Sequence, residues 1–248
     1  MNHSTYRQPL PKKFHEKAAV AYRENGSPVN ENWHVYPEQA AAGLWTTPSD
    51  LCRYMIEVQR SYGGESNRVI SPEMTRQMLT KHKGNWGLGP ALTGDDDSLA
   101  FTHGGANAGY RCQFFAYADK DQGVAIMTNS DNGSDLIGEI LRSIDQVYGW
   151  SHFETKMKQM KDITREKLKG FEGKYRLRPG IVADIEAKEG YLWIMPGWEG
   201  HSMKFYPESD SSFFDLEKGW TITWEKHSAT GEIEGFRLNE SAYFSRVK

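Results

Sequence analysis

The spacing of apolar and polar positions changes character several times along this chain. Over residues 1–46 no period holds, and turn formers dominate, as in Gln8-Pro9-Leu10-Pro11, Asn25-Gly26-Ser27-Pro28 and Asn30-Glu31-Asn32. So long a loop is unusual at the start of an independent domain, so the chain is expected to begin inside a larger fold. A helical period starts at Thr47-Pro48-Ser49-Asp50, where Thr47 suits the N-cap, Pro48 the first turn and Asp50 the place of a capping partner. Leu51, Tyr54, Met55 and Val58 then recur at helical spacing until Gly63-Gly64 stops the helix. Ser71-Pro72-Glu73 repeats the start signal, with Met74 and Met78 on one face.

Strand character follows. Leu99–His103, Gln113–Tyr117 and Gly123–Thr128 are short apolar or aromatic runs, split by Asn107-Ala108-Gly109 and Asp119-Lys120-Asp121, which predicts an antiparallel meander. From Ser134, the positions Leu136, Ile137, Ile140, Leu141, Ile144, Val147 and Tyr148 mark a helix whose apolar face packs on that sheet. Residues 151–169 are rich in Lys and Arg and read as a charged helical linker. Beyond Gly170, eight strand-like runs between Lys174 and Val247 are separated by tight turns such as Glu189-Gly190, Trp198-Glu199-Gly200 and Thr230-Gly231. They predict a small up-and-down eight-stranded barrel, closed so that no edge is exposed. The expected architecture is α+β: an antiparallel sheet with packed helices over 1–150, the linker over 151–169, and the barrel over 170–248.

Composition narrows the functions. With 38% hydrophobic and 25% charged residues, the 248-residue chain can bury a sizeable core. A net charge of −3 implies no basic face, so nucleic acid is not an expected partner. The opening Met1-Asn2-His3-Ser4-Thr5 lacks a signal-type apolar core and no apolar run is long enough to span a bilayer, so no membrane partner is expected either. Cys52 and Cys112 form no CxxC, and the eight His form no HxH or HExxH, so neither a metal nor another cofactor is expected. Trp193, Trp198, Trp220 and Trp224 suit either a barrel core or a ligand cup, and core is the commoner fate of such aromatics.

The most specific chemistry lies in Phe101-Thr102-His103-Gly104-Gly105-Ala106-Asn107-Ala108-Gly109-Tyr110. Two glycines at a strand end leave the backbone bare for a substrate, the Ala106 N–H can face a developing oxyanion, and His103 can donate a hydrogen bond or move a proton near neutral pH. The competing reading is a Gly-rich hairpin turn with a satisfied histidine. His103, Gly105 and Ala106 are the catalytic candidates, with Gly104, Asn107 and Tyr110 as candidate substrate contacts.

Four segments in order carry a resemblance: Ala40-Ala41-Ala42-Gly43-Leu44-Trp45-Thr46-Thr47-Pro48-Ser49-Asp50-Leu51, Trp86-Gly87-Leu88-Gly89, His103-Gly104-Gly105, and Gly123-Val124-Ala125-Ile126-Met127-Thr128-Asn129-Ser130. Residues 1–150 resemble the C-terminal half of the class C β-lactamase-related family of penicillin-recognising serine hydrolases. The tail from about Leu168 resembles the lipocalin-like domain appended to many members. The resemblance implies hydrolysis of an amide or ester through an acyl-serine intermediate, a third active-site motif at His103-Gly104-Gly105, and an extracytoplasmic setting.

The departures are as informative. The family's Ser-x-x-Lys nucleophile motif opens a helix, yet the one match here is Ser245-Arg246-Val247-Lys248 at the end of an apparent strand, where i and i+3 point to opposite faces. No Tyr is followed two residues on by Asn. Ser130-Asp131-Asn132 comes after the third motif and reads as a strand end capping the next helix through Asn132 or Ser134. The chain is therefore expected to be a fragment that does not catalyse acyl transfer alone. Alternatives are a module that binds an apolar small molecule or a protein through the barrel, and a fragment that works as a homodimer or with an N-terminal half.

Overall fold

The computed structural model describes residues 1–153, 157–197 and 202–247, and the chain divides into two compact units, Met1–Thr155 and Lys156–Lys248. The first is α+β. Helices α1 (Gln39–Ala42), α2 (Pro48–Tyr62) and α3 (Pro72–Met78) precede a four-stranded antiparallel sheet of β1 (Ala91–Thr93), β2 (Ala100–Asn107), β3 (Tyr110–Tyr117) and β4 (Gly123–Thr128), in that spatial order. Helix α4 (Gly133–Tyr148) follows.

The sheet is covered on both faces, as its period-two pattern demands. On one face, Phe101 and Ala116 join Leu92, Leu79, and Met55 and Val58 of α2. On the other, Phe115 and Tyr117 stack on Trp150, and Ile126 packs on Ile137 and Leu141 of α4. The apolar arc of α4 is wider than the sheet covers: Leu136, Val147 and Tyr148, expected on the packed face, are 52%, 78% and 62% exposed. Met74 of α3 also faces outward. Strand β4 pairs with β3 alone, so its outer edge has no strand partner among the described residues.

Residues 1–46 hold no long element, in keeping with their turn formers, yet Leu10, Ala21 and Val29 are buried. Bridges from Thr5 to Trp45 and from Tyr22 to Ser130 fasten this segment down. Asp50 is a second fastening. Thr47 caps α2 by accepting from the Asp50 N–H, but the Asp50 carboxylate turns away from the cap and accepts from the His3 N–H at 2.8 Å and the Ser4 hydroxyl at 2.7 Å. Arg53 pairs with it one turn on.

The second unit is a closed antiparallel barrel of β5 (Gly173–Arg178), β6 (Ile181–Ala187), β7 (Leu192–Pro196), β8 (Met203–Pro207), β9 (Ser212–Asp215), β10 (Thr221–Lys226), β11 (Ile233–Leu238) and β12 (Ala242–Arg246), with β12 returning to β5. Its interior is filled by its own side chains. Tyr175, Leu192, Phe205, Phe213, Ile222, Trp224, Phe236 and Phe244 are buried there, and Leu168 of α5 (Arg165–Lys169) with Phe171 adds to the plug. Trp224 is core, Trp193 and Trp220 are half-buried, and Trp198 with its turn lies outside the described residues. An interior packed with aromatics leaves little room for an apolar ligand.

The charged helical linker is corrected. Among the described residues of 151–169, only Arg165–Lys169 is α-helical. Upstream, the Lys161 N–H donates to the Pro207 carbonyl, while Lys158 and Lys161 pair with Glu208 and Asp210. Bonds to the barrel replace the helix's own ladder. Lys161 and Lys167 hold the Asp210 carboxyl at about 2.

The Asp50 fastening predicts a pH signature. Its hydrogen bond from Ser4, then those from His3 and Arg53, hold its carboxyl well below the usual carboxylate range. A depressed pKa means the stabilisation is complete above the unfolded value near ~4 and fades as pH falls through the folded one. Acid titration of wild-type protein should show stability falling below about pH 4, and Asp50→Asn should remove part of that dependence in urea unfolding curves.

Candidate functional site

Strand β2 carries His103-Gly104-Gly105, and its ladder decides which groups face outward. The Ala118 N–H donates to the Leu99 carbonyl at 2.9 Å, and the register continues unbroken through Phe101↔Ala116, His103↔Phe114 and Gly105↔Cys112. In an antiparallel pair, hydrogen-bonded residues alternate. The backbone groups of Ala100, Thr102, Gly104 and Ala106 therefore point to the opposite edge. There β1 pairs only with residues 100–102, which leaves Gly104 and Ala106 uncovered by strand pairing.

Bareness at this edge has a packing cause as well. A Cβ on Gly105 would lie 2.6 Å from the Cys112 sulfur, so a side chain there would force that sulfur to move. Burial pushes the Cys112 thiol up, which makes it a packing group rather than a nucleophile.

His103 is exposed and lies edge-on to Trp86, with ring centroids 6.2 Å apart. Its Nδ1 is 2.6 Å from the Gly104 carbonyl oxygen. A carbonyl can only accept, so Nδ1 carries the proton and the neutral ring keeps Nε2 as an acceptor. The satisfied-histidine reading thus holds for one nitrogen only. Trp86 is placed by Gly87, where a Cβ would meet the Met78 carbonyl at 2.2 Å; the next N–H, of Leu88, donates to that oxygen.

Asn107 and Tyr110, expected as substrate contacts, use their polar groups on the chain itself. The Asn107 amide donates to the Ala42 carbonyl at 2.9 Å and the Tyr110 hydroxyl to that of Ala19 at 2.5 Å, while the Tyr110 ring packs edge-on to Trp45. Burial pushes the Tyr110 hydroxyl up to about 12. Both anchor the hairpin end of β2. The site residues therefore separate: His103, Gly104, Gly105 and Ala106 form the open edge, and Asn107 and Tyr110 fix its far end.

Asp131 was not foreseen in that role. Its carboxylate accepts from the Gly109 N–H at 2.8 Å and faces Arg111 at 3.2 Å and Arg23 at 3.3 Å. The Gly109 donor, then Arg23 and the charge of Arg111, hold its carboxyl below the ordinary value. The neighbouring Asn132 occupies the N-cap position of α4, but its side chain accepts from the Ser130 hydroxyl and no helix N–H is capped. No sequence signal separates such a hub from a turn residue, because its partners lie 22 and 108 positions away. Among the described residues no group of three or more His, Cys, Asp or Glu can hold a metal ion, and no helix is long and apolar enough to cross a membrane.

Residues 1–147 match the family model described as Beta-lactamase. The chain belongs to the β-lactamase family. No curated protein matches it. Among solved structures, this β-lactamase-family chain is similar to SurE at 16% identity, covering 92% of this chain and 55% of that one with a TM-score of 0.50. It is also similar to SurE with D-Leu (17% identity, 83% and 51% coverage, TM-score 0.46) and to the octameric penicillin-binding protein homologue from Pyrococcus abyssi (18% identity, 98% and 56% coverage, TM-score 0.49). Likeness at these identities concerns the fold. The chain spans about half the length of these structures.

The Gly105 contact can be tested by a double-mutant cycle. Gly105→Ala should destabilise the fold by about 1–3 kcal/mol through overpacking. Cys112→Ala in the same chain should recover most of that loss in denaturant unfolding, the non-additivity reporting the contact.

Proposed function

We propose that this chain supplies the substrate-facing strand of a serine hydrolase of amides or esters, and that the nucleophile comes from outside these 248 residues. The observation that carries the reading is the open backbone of Gly104 and Ala106 beside His103. Acyl transfer from an amide or ester to a serine hydroxyl passes through a tetrahedral intermediate whose oxygen carries the charge. An Ala106 N–H fixed by the β2–β3 ladder is a preorganised donor for that oxygen, a kind of contact worth about 2.7–4 kcal/mol in the transition state. Gly105 keeps the approach free of a side chain. His103, with Nε2 as acceptor, positions substrate or assists proton transfer.

The absence of a nucleophile rests on the sequence and on the place of its one Ser-x-x-Lys. Ser245 lies in β12, with its hydroxyl on the Arg176 carbonyl, and Lys248 lies outside the described residues. In a Ser-x-x-Lys motif the base reaches the serine from one helical turn away, and a strand does not give that placement. The chain alone should take up no label from a fluorescent penicillin or a fluorophosphonate, read by gel fluorescence and intact mass. Stoichiometric labelling of any serine would overturn this reading.

One observation favours a partner in addition. Strand β4 has an unpaired edge free of charged residues, and α4 exposes Leu136, Val147 and Tyr148 nearby in the same unit. Open edges of this kind recruit another strand. Light scattering across a concentration series should show self-association, or a shift to a defined complex when an N-terminal half is supplied. A monomer indifferent to both would remove the partner.

A further inference from the structure

The active-site strand borders a cavity that the oxyanion argument does not use. It has a volume of about 550 Å³ and is walled by His103, Leu51, Tyr54, Met78, Leu88 and Phe114, with residues of the N-terminal segment. That size falls within the roughly 300–1,000 Å³ of small-molecule sites. No Lys, Arg, Asp or Glu side chain lines it. Burial pushes the Tyr54 hydroxyl up, so that wall stays neutral across the physiological range. The Tyr54 ring packs edge-on to Phe114, and its hydroxyl makes no hydrogen bond among the described residues.

The helical spacing of Leu51 and Tyr54 reads as core, and both pack there while also bordering the cavity. Gly87 holds Leu88 and Trp86 in place on the opposite wall, as the Leu88 N–H fixed on Met78 shows. His103 lines this cavity and belongs to the open edge, so the two meet at that residue.

We propose that this cavity is a specificity pocket for an uncharged, apolar acyl group of the substrate, with the Tyr54 hydroxyl as an anchoring donor in its wall. The assignment rests on the reading of β2 as the substrate-facing strand and adds the class of group it selects. A carboxylate would lose its hydration against a wall with no Lys or Arg side chain to pair it. An alkyl chain gains with each methylene buried.

The test is an NMR titration of the full chain, labelled at methyl groups and histidine rings, with acetamide, butanamide, hexanamide and hexanoate. The expected result is binding that tightens about fourfold per buried methylene among the amides, hexanoate at least tenfold weaker than hexanamide, and shifts at Met78, Leu88 and the His103 ring. Leu88→Glu should abolish hexanamide binding; Leu88 is 51% exposed, so its loss spares the core. Leu44→Glu, at another wall, is the second variant if the first fails to fold.

No length dependence, equal binding of hexanoate, or shifts confined to the barrel would overturn the assignment. So would self-association that protects these same methyls, which would give the pocket to a second copy. If the amides fail while the chain stays unlabelled by fluorophosphonate, only the pocket assignment falls. Labelling of the chain would bring down the reading beneath it.

Discussion

The two-residue alternation of the β2–β3 ladder governs the rest of the first unit. One bond, from the Ala118 N–H to the Leu99 carbonyl, sets its phase, and the unbroken register carries that phase to Gly105. A slip by one residue would turn the backbone of Gly104 and Ala106 inward and bring every side chain of β2 to the wrong face. Phe101 would leave the α2 core, and the His103 ring would leave Trp86. The buried faces on both sides of the sheet are therefore what fix the exposed edge.

Long-range polar fastenings then hold the ends of that strand. Asp131 grips the Gly109 N–H and two arginines at the hairpin, and Asn107 and Tyr110 tie the same end to residues 42 and 19. Asp50 ties the first residues to α2. These bonds are few, but the Asp50 carboxylate is wholly buried, and leaving it unmet would cost more than the bonds contribute. They convert a turn-rich segment with little regular structure into a fixed wall of the site.

The barrel shows a different economy. Its strands close on themselves, so no edge remains, and its interior is consumed by aromatic packing, with Phe171 and Trp224 centroids 4.7 Å apart. The Trp224 Nε1 is buried without a hydrogen-bond partner among the described residues, a polar cost accepted within an otherwise apolar interior. Such a unit is built for stability. The first unit differs in leaving edges of β2 and β4 without a strand partner among the described residues.

Periodicity alone determined much of this protein. Thr47-Pro48 and Ser71-Pro72 started helices where their capping chemistry requires, the meander lay at its three apolar runs, and the regular hairpin spacing after Gly170 gave a closed barrel. Local signals of this kind act over a few residues and are written in the chain. Tertiary structure decided which backbone groups of β2 face out, that Asn107 and Tyr110 bond to the chain itself, that Asp131 is a hub, and that Tyr54, packed on the core, also borders a cavity. It also decided that residues 157–164 follow the barrel rather than form a helix. Each depends on partners far away in sequence, and the energy of such a contact exists only once the chain has brought both groups together.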